Sequence, residues 1–181
     1  MIYTVQPFSV DKKKFGEVYN AHIAPLPDDC WVLVLDADCQ IMMPEIAYKS
    51  IYKAIEKYPD TAVFGAMTNR VNYMHQCYLE EISPNDSYLF HYAIAQRLAA
   101  QWPNGESKIA LTVAGFFMLF KKSYWKESKF QDEIVQDNLF FDRAFCLHAH
   151  AKRMPMRIIR GVYVWHAYRI HKDVNDKTHL L

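Results

Sequence analysis

Trp31-Val32-Leu33-Val34-Leu35-Asp36-Ala37-Asp38 decides the reading of this chain. Five apolar residues in a row, without the alternation of a half-solvated strand, predict a central strand covered on both faces. Upstream, Pro25-Leu26-Pro27-Asp28-Asp29 ends a helix predicted over residues 11–24. Asp11 offers that helix an N-cap, and Phe15, Val18, Tyr19 and Ile23 share one face. Downstream, Pro44 stands in the first turn of a second helix predicted to reach residue 58, and residues 61–66 read as the next strand. Strand, helix and strand in so short a span make a parallel crossover.

Working outward, residues 2–5 read as a short strand stopped by Pro7. Residues 68–85 read as a long loop. Residues 86–101 read as a helix with Leu89, Tyr92, Ala93, Gln96, Ala99 and Ala100 in register. A strand is predicted over 111–120, bulged near Gly115, then a helix over 137–151, a last strand over 156–165 and a polar tail over 170–181. The sum is an α/β fold: one domain over residues 1–181, with a mixed sheet flanked by helices and no linker dividing it.

Composition removes several classes. The 181 residues are 51% apolar, enough for a sizeable core. Lys plus Arg is 21 against 20 for Asp plus Glu, a formal charge of +1. Such a chain has no bulk attraction for nucleic acid or anionic lipid, and no nucleic-acid partner is expected. The five glycines, Gly16, Gly65, Gly105, Gly115 and Gly161, are nowhere closer than ten positions. A dinucleotide fingerprint, a Walker A loop and a serine nucleophile elbow all need closer spacing and are excluded. Cys30, Cys39, Cys77 and Cys146 form no C-x-x-C pair, so zinc-ribbon and thioredoxin readings fail. They read as reduced thiols of a cytoplasmic protein. Residues 1–10 lack the basic start and apolar run of a secretory leader. The longest apolar stretch, residues 113–120, is far short of a membrane span.

Asp36 and Asp38 stand two apart at the carboxyl end of a buried strand, where open α/β sheets bind ligands. Two acids there repel unless a cation lies between them, and hard oxygen donors suit Mg²⁺ or Mn²⁺. The plain alternative, an Asp pair that only caps a turn, stays open on these residues alone.

The surrounding order of motifs resembles the family 2 glycosyltransferases of GT-A fold. Lys14-Phe15-Gly16-Glu17-Val18-Tyr19-Asn20 leads to the apolar strand, the D-x-D and Met43-Pro44-Glu45. Ala114-Gly115-Phe116-Phe117-Met118-Leu119-Phe120-Lys121-Lys122 is similar to the family's acceptor-side strand. Residues 130–143 are similar to its segment with an acidic pair and a helix, Gln136-Asp137 standing where the family has Glu-Asp. Gly161-Val162-Tyr163-Val164-Trp165-His166 is similar to its closing strand with a metal-binding His. The resemblance covers about residues 11–169, and its specificity lies in the order of the pieces.

It implies a minimal GT-A-like domain with a nucleotide- and metal-side half over residues 1–66 and an acceptor-side half over 67–169. The implied activity moves a sugar from a UDP- or GDP-sugar to the hydroxyl of a saccharide or other acceptor, with Mn²⁺ or Mg²⁺. Asp38 would bind the metal, and Asp36 would touch the ribose or the metal's water. His166 would add a nitrogen ligand, Asp137 would be the general base, and Arg169 would meet a phosphate oxygen. The plain alternatives are a packed core His for His166 and a helix cap for Asp137. Only 35 residues precede Asp36, fewer than the family carries there. The base site would then be reduced, completed by a partner such as a second copy, or the activity lost.

Weaker features are His148 and His150, which two positions apart on a helix face different ways. Lys12-Lys13-Lys14 reads as a solvated helix start. Tyr73, Tyr78, Tyr88, Phe90 and Tyr92 read as core packing or a sugar-stacking surface. Two rivals differ in class. One is a non-catalytic GT-A-like domain that binds sugar or protein. The other is a haloacid-dehalogenase-type phosphotransferase, which also has D-x-D after a strand. It fits less well because Gln40 stands where that type has Thr or Val, and Asp137 and Asp142 are wrongly spaced.

Overall fold

The computed structural model describes residues 1–7, 14–132 and 141–167. Its described residues form an α/β fold of seven strands in mixed pairing with five α-helices. The chain divides into two compact units, residues 1–37, 60–65 and 109–157 in the first, and 38–59, 66–108 and 158–181 in the second.

In the first unit β1 (Ile2–Val5) runs parallel to β2 (Trp31–Leu35), and β2 pairs antiparallel with β6 (Phe117–Lys121). Val63 and Phe64 of β4 (Val63–Thr68) pair antiparallel with the other edge of β6. Strands β2 and β4 therefore point the same way, as the strand–helix–strand reading requires, but they are not neighbours. β6 lies between them because its own apolar run, Phe117 to Phe120, is wholly buried and paired on both edges.

The strand predicted over 111–120 begins only at Phe117. Gly115 is the reason. Its amide donates to the Asp142 carboxylate at 2.9 Å instead of to a ladder partner. A Cβ on it would come within 2.6 Å of the Phe141 ring. β5 (Ser107–Ala110) precedes this turn and was not foreseen.

Helix α1 (Phe15–Ile23) shows why its sequence carries Gly and Asn four apart. A Cβ on Gly16 would lie 2.5 Å from the Gln131 carbonyl, so only glycine lets residues 131–132 cross the helix there. One turn on, Asn20 accepts from Trp125 Nε1 (2.8 Å) and the Phe130 amide (3.1 Å) and donates to the Phe130 carbonyl (2.7 Å). The Asp132 carboxylate accepts from the Glu17 amide at 2.9 Å, capping the helix start. Under this crossing Phe130 packs on Phe145 with centroids 4.4 Å apart, and Phe120 on Phe145 at 4.8 Å. Phe145 lies in α5 (Phe141–Ala151).

The short helix α4 (Lys122–Glu127) was also not foreseen. Lys122 is 3% exposed, and its ammonium donates to the Ala24 carbonyl (2.8 Å) and the Leu26 carbonyl and faces Asp28 at 3.4 Å. The turn between α1 and β2 is thus tied to the start of α4 through one side chain.

In the second unit β3 (Cys39–Ile41) pairs antiparallel with β7 (Met156–His166), and β5 pairs with β7 as well. Helix α2 (Pro44–Lys57) buries Ala47, Ser50, Ile51 and Ala54, spaced to line one face. The stretch read as a long loop holds two single 3-10 turns, Met74–Gln76 and Tyr78–Glu80.

Helix α3 (Tyr88–Gln101) forms where expected but buries a different face. His91, Ile94, Ala95 and Leu98 face inward, whereas Leu89 is 75% exposed. Here Nδ1 of His91 bonds the Tyr163 hydroxyl at 2.8 Å and Nε2 the Asn85 carbonyl at 2.6 Å, so burial leaves neither nitrogen unsatisfied. No described helix is long and apolar enough to cross a membrane.

Candidate functional site

Asp38 lies between β2 and β3, and its backbone carbonyl accepts from the Ala167 amide at 2.9 Å. That bond continues the β3–β7 ladder, whose register sets Cys39 directly opposite His166. The Asp38 carboxylate then faces His166 Nε2 at 3.5 Å, although the two are 128 positions apart in the chain.

The end of β7 is pinned by a buried amide. Asn69 Oδ1 accepts from the His166 amide at 2.8 Å, while Nδ2 donates to the His166 carbonyl at 3.1 Å. Asn69 is 1% exposed, and its Oδ1 also accepts from the Thr68 hydroxyl at 3.2 Å. The imidazole is oriented too. Its Nδ1 sits 3.2 Å from the Arg70 carbonyl, which can only accept, so Nδ1 carries the proton. Nε2 is then the nitrogen that faces Asp38: it donates to the carboxylate when it carries a proton and offers its lone pair to an ion when it does not, an orientation common in metal-binding histidines.

Burial pushes the Asp38 carboxyl up, but the hydrogen bond and charge of His166 more than offset it and hold the group below its ordinary value. The Asp38 side chain is 42% exposed against 12% for His166, so the pair opens to solvent on the carboxylate side. Cys39 Sγ lies 4.0 Å from Asp38 Oδ1. Among the described residues, one ligand atom each from Asp38, Cys39 and His166 falls within 4.8 Å of the others.

Asp36 lies in the first unit, with different company. Its carboxylate accepts from the Tyr19 hydroxyl at 2.8 Å, its amide donates to the Phe116 carbonyl, and its carbonyl accepts from Gln6 Nε2. In the same unit the Asp142 carboxylate accepts from the amides of Gly115 (2.9 Å) and Arg143 (2.7 Å). Burial pushes the Asp142 carboxyl up to about 6, the two amides pull against that, and the Asp36 charge adds to the rise.

Asp137, Gln136 and Arg169 lie outside the described residues. Asp132, in the same acidic segment as Asp137, serves as the cap on α1. His150 Nε2 bonds the Leu111 carbonyl at 2.6 Å and the His148 ring packs against Tyr124, so these two histidines serve different neighbours.

No family model matches this chain, and no curated protein matches it significantly.

Cys39 and Asp142 are the chemically notable residues that sequence reasoning passed over. Cys39 is adjacent to the D-x-D, a usable signal. Its alignment with His166 is a matter of strand register, which no local pattern contains. Asp142 reads as an ordinary helix acid until Gly115 turns its amide toward it.

Proposed function

We propose that the chain is a metal-dependent glycosyltransferase acting on a UDP- or GDP-sugar and a hydroxyl acceptor. The observation that supports this is the approach of Asp38 and His166 from opposite parts of the chain to 3.5 Å, with the His166 tautomer set by Arg70. These are two of the three residues, with Asp36, that the resemblance places at the metal.

Asp38 and His166 would hold Mn²⁺ or Mg²⁺, and their oxygen and nitrogen donors suit Mn²⁺ better than the oxygen-seeking Mg²⁺. Such an ion supplies charge neutralisation for the departing nucleoside diphosphate. Asp36, whose carboxylate accepts from the Tyr19 hydroxyl, is given the donor's ribose by the resemblance alone. Asp137 as base for the acceptor hydroxyl and Arg169 as a phosphate contact rest on the resemblance alone. The half-exposed Asp38 carboxylate gives a donor access from solvent.

The test is a thermal-shift series with UDP, GDP and their sugars, with and without Mn²⁺. A ligand held by the folded state at about a hundred times its Kd stabilises by about 2.7 kcal/mol, a shift easily read. A nucleotide is expected to raise the midpoint only with Mn²⁺, and Asp38→Asn to abolish that dependence while keeping the metal-free midpoint. His166→Ala should weaken metal affinity by roughly ten- to a hundredfold or more. The same midpoints in Asp38→Asn and wild type, with and without Mn²⁺, would sink the reading. Metal-dependent binding without hydrolysis or transfer of the sugar would turn it into a binding domain.

A further inference from the structure

We propose that Cys39 is the third ligand of the Asp38–His166 centre, bound as a thiolate, so that the site selects a thiophilic divalent ion such as Co²⁺, Zn²⁺ or Cd²⁺ over Mg²⁺. This rests on the reading that Asp38 and His166 hold a divalent metal.

Three observations carry it. Cys39 stands directly opposite His166 across the antiparallel β3–β7 pair, and residues so paired place their side chains on the same face. Its Sγ is 4.0 Å from Asp38 Oδ1, His166 Nε2 is 3.5 Å from the same oxygen, and all three atoms lie within 4.8 Å of one another. Ligands held 2.0–2.3 Å from a tetrahedral ion stand about 3.3–3.8 Å apart, so closure needs side-chain rotation of about 1 Å or less. Finally, the His166 Nδ1 contact to the Arg70 carbonyl leaves Nε2 as the ligand nitrogen.

Two other buried thiols have different surroundings. Cys77 Sγ points to the Val71 carbonyl and Cys146 Sγ to the Val113 carbonyl, and burial pushes the latter thiol up to about 12. Those are inert core thiols. Cys39 is equally buried at 6% exposure, yet its sulfur faces a carboxylate and an imidazole rather than only a peptide carbonyl. One oxygen, one nitrogen and one sulfur form a donor set for the softer first-row and related ions, and the hard Mg²⁺ gains nothing from the sulfur. The exposed side of Asp38 leaves a fourth position for water or substrate, the arrangement of a working rather than a purely structural site.

In the binding step the S–H bond breaks, the sulfur–metal bond forms and the proton goes to solvent, with no change in oxidation state. Metal affinity must therefore fall as pH is lowered.

Co²⁺ titration of the full chain followed by absorption tests this. One equivalent is expected to give visible d–d bands together with a near-ultraviolet thiolate-to-cobalt charge-transfer band. Cys39→Ser should remove the charge-transfer band and weaken Co²⁺ binding by roughly ten- to a hundredfold. Cys39→Ala should do the same, and the metal-free thermal midpoints of both variants show whether the fold is kept. Excess Mg²⁺ should leave the wild-type band in place. Stoichiometric d–d bands without the charge-transfer band, or a band that survives in Cys39→Ser, overturn the assignment of Cys39 while leaving the metal centre. If Co²⁺ does not bind the wild type at all, the underlying metal reading falls with it.

Discussion

At the scale of single residues, Asp142 keeps its proton into the mildly acidic range because burial outweighs two amide hydrogen bonds and the Asp36 charge adds to the effect. Its folded-state value of about 6 lies above the ordinary 3.8. The folded protein therefore binds this proton more tightly than the unfolded chain does. The group favours the fold below about pH 4, and that advantage is lost as pH rises through 6, a difference on the order of 3 kcal/mol. Carboxyl-carbon NMR should place the Asp142 midpoint near 6, and Asp36→Asn should move it downward by removing a negative charge. A midpoint near the ordinary value would overturn the burial effect, and one that ignores Asp36→Asn would show that the two carboxyls do not interact. The Asp38–His166 approach was legible only through resemblance. Spacing cannot say that positions 38 and 166 meet; a strand register decides it.

At the scale of elements, the Gly16-x-x-x-Asn20 spacing in α1 is a docking device for the segment around Phe130. Asn20→Ala would leave three groups without their partner: the Trp125 indole N–H, the Phe130 amide and the Phe130 carbonyl. At about 1–3 kcal/mol for each buried group stranded, a loss of about 3 kcal/mol is expected. Urea unfolding should show it as a lower midpoint, and a change under about 0.5 kcal/mol would mean that water replaces the amide. Long periodic helices and the buried strand β2 were readable, because their burial follows from local pattern. β3, of three residues, and α4, of six, were not, since their stability comes from partners far away in sequence, Val164 to His166 of β7 in one case and the α1–β2 turn in the other. The misread face of α3 has a single cause, the inward His91, whose partners Tyr163 and Asn85 no helical wheel displays.

At the scale of the whole molecule, two titrations oppose each other. Burial holds His91 below its ordinary 6.5, with Arg70 adding to that and Asp86 and the Asn85 carbonyl working against it. The unfolded chain then binds this proton more readily, so stability falls as pH drops below about 6.5. Asp142 acts the other way as pH falls from about 6 toward 4. Urea midpoints measured from pH 7.5 to 5 therefore carry two contributions of opposite sign. Asp142→Asn should expose a steeper loss on acidification, and His91→Gln should flatten or reverse it. Identical pH slopes in all three proteins would show that neither group is linked to folding. The α/β class and the mixed pairing followed from alternating elements, whereas the insertion of β6 between β2 and β4 needed long-range pairing that sequence does not display.

Lys122 gives the α1–β2 turn an unusual chemical consequence. Its amine is enclosed by the Ala24 and Leu26 carbonyls and Asp28, while Lys126 beside it is about half exposed. An acylating reagent added to the folded protein meets Lys126 at once but reaches Lys122 only when that turn lifts. The two lysines, four positions apart, thus form a built-in clock and its reference: their ratio of labelling rates reads the frequency of one local opening, separately from unfolding of the rest of the chain.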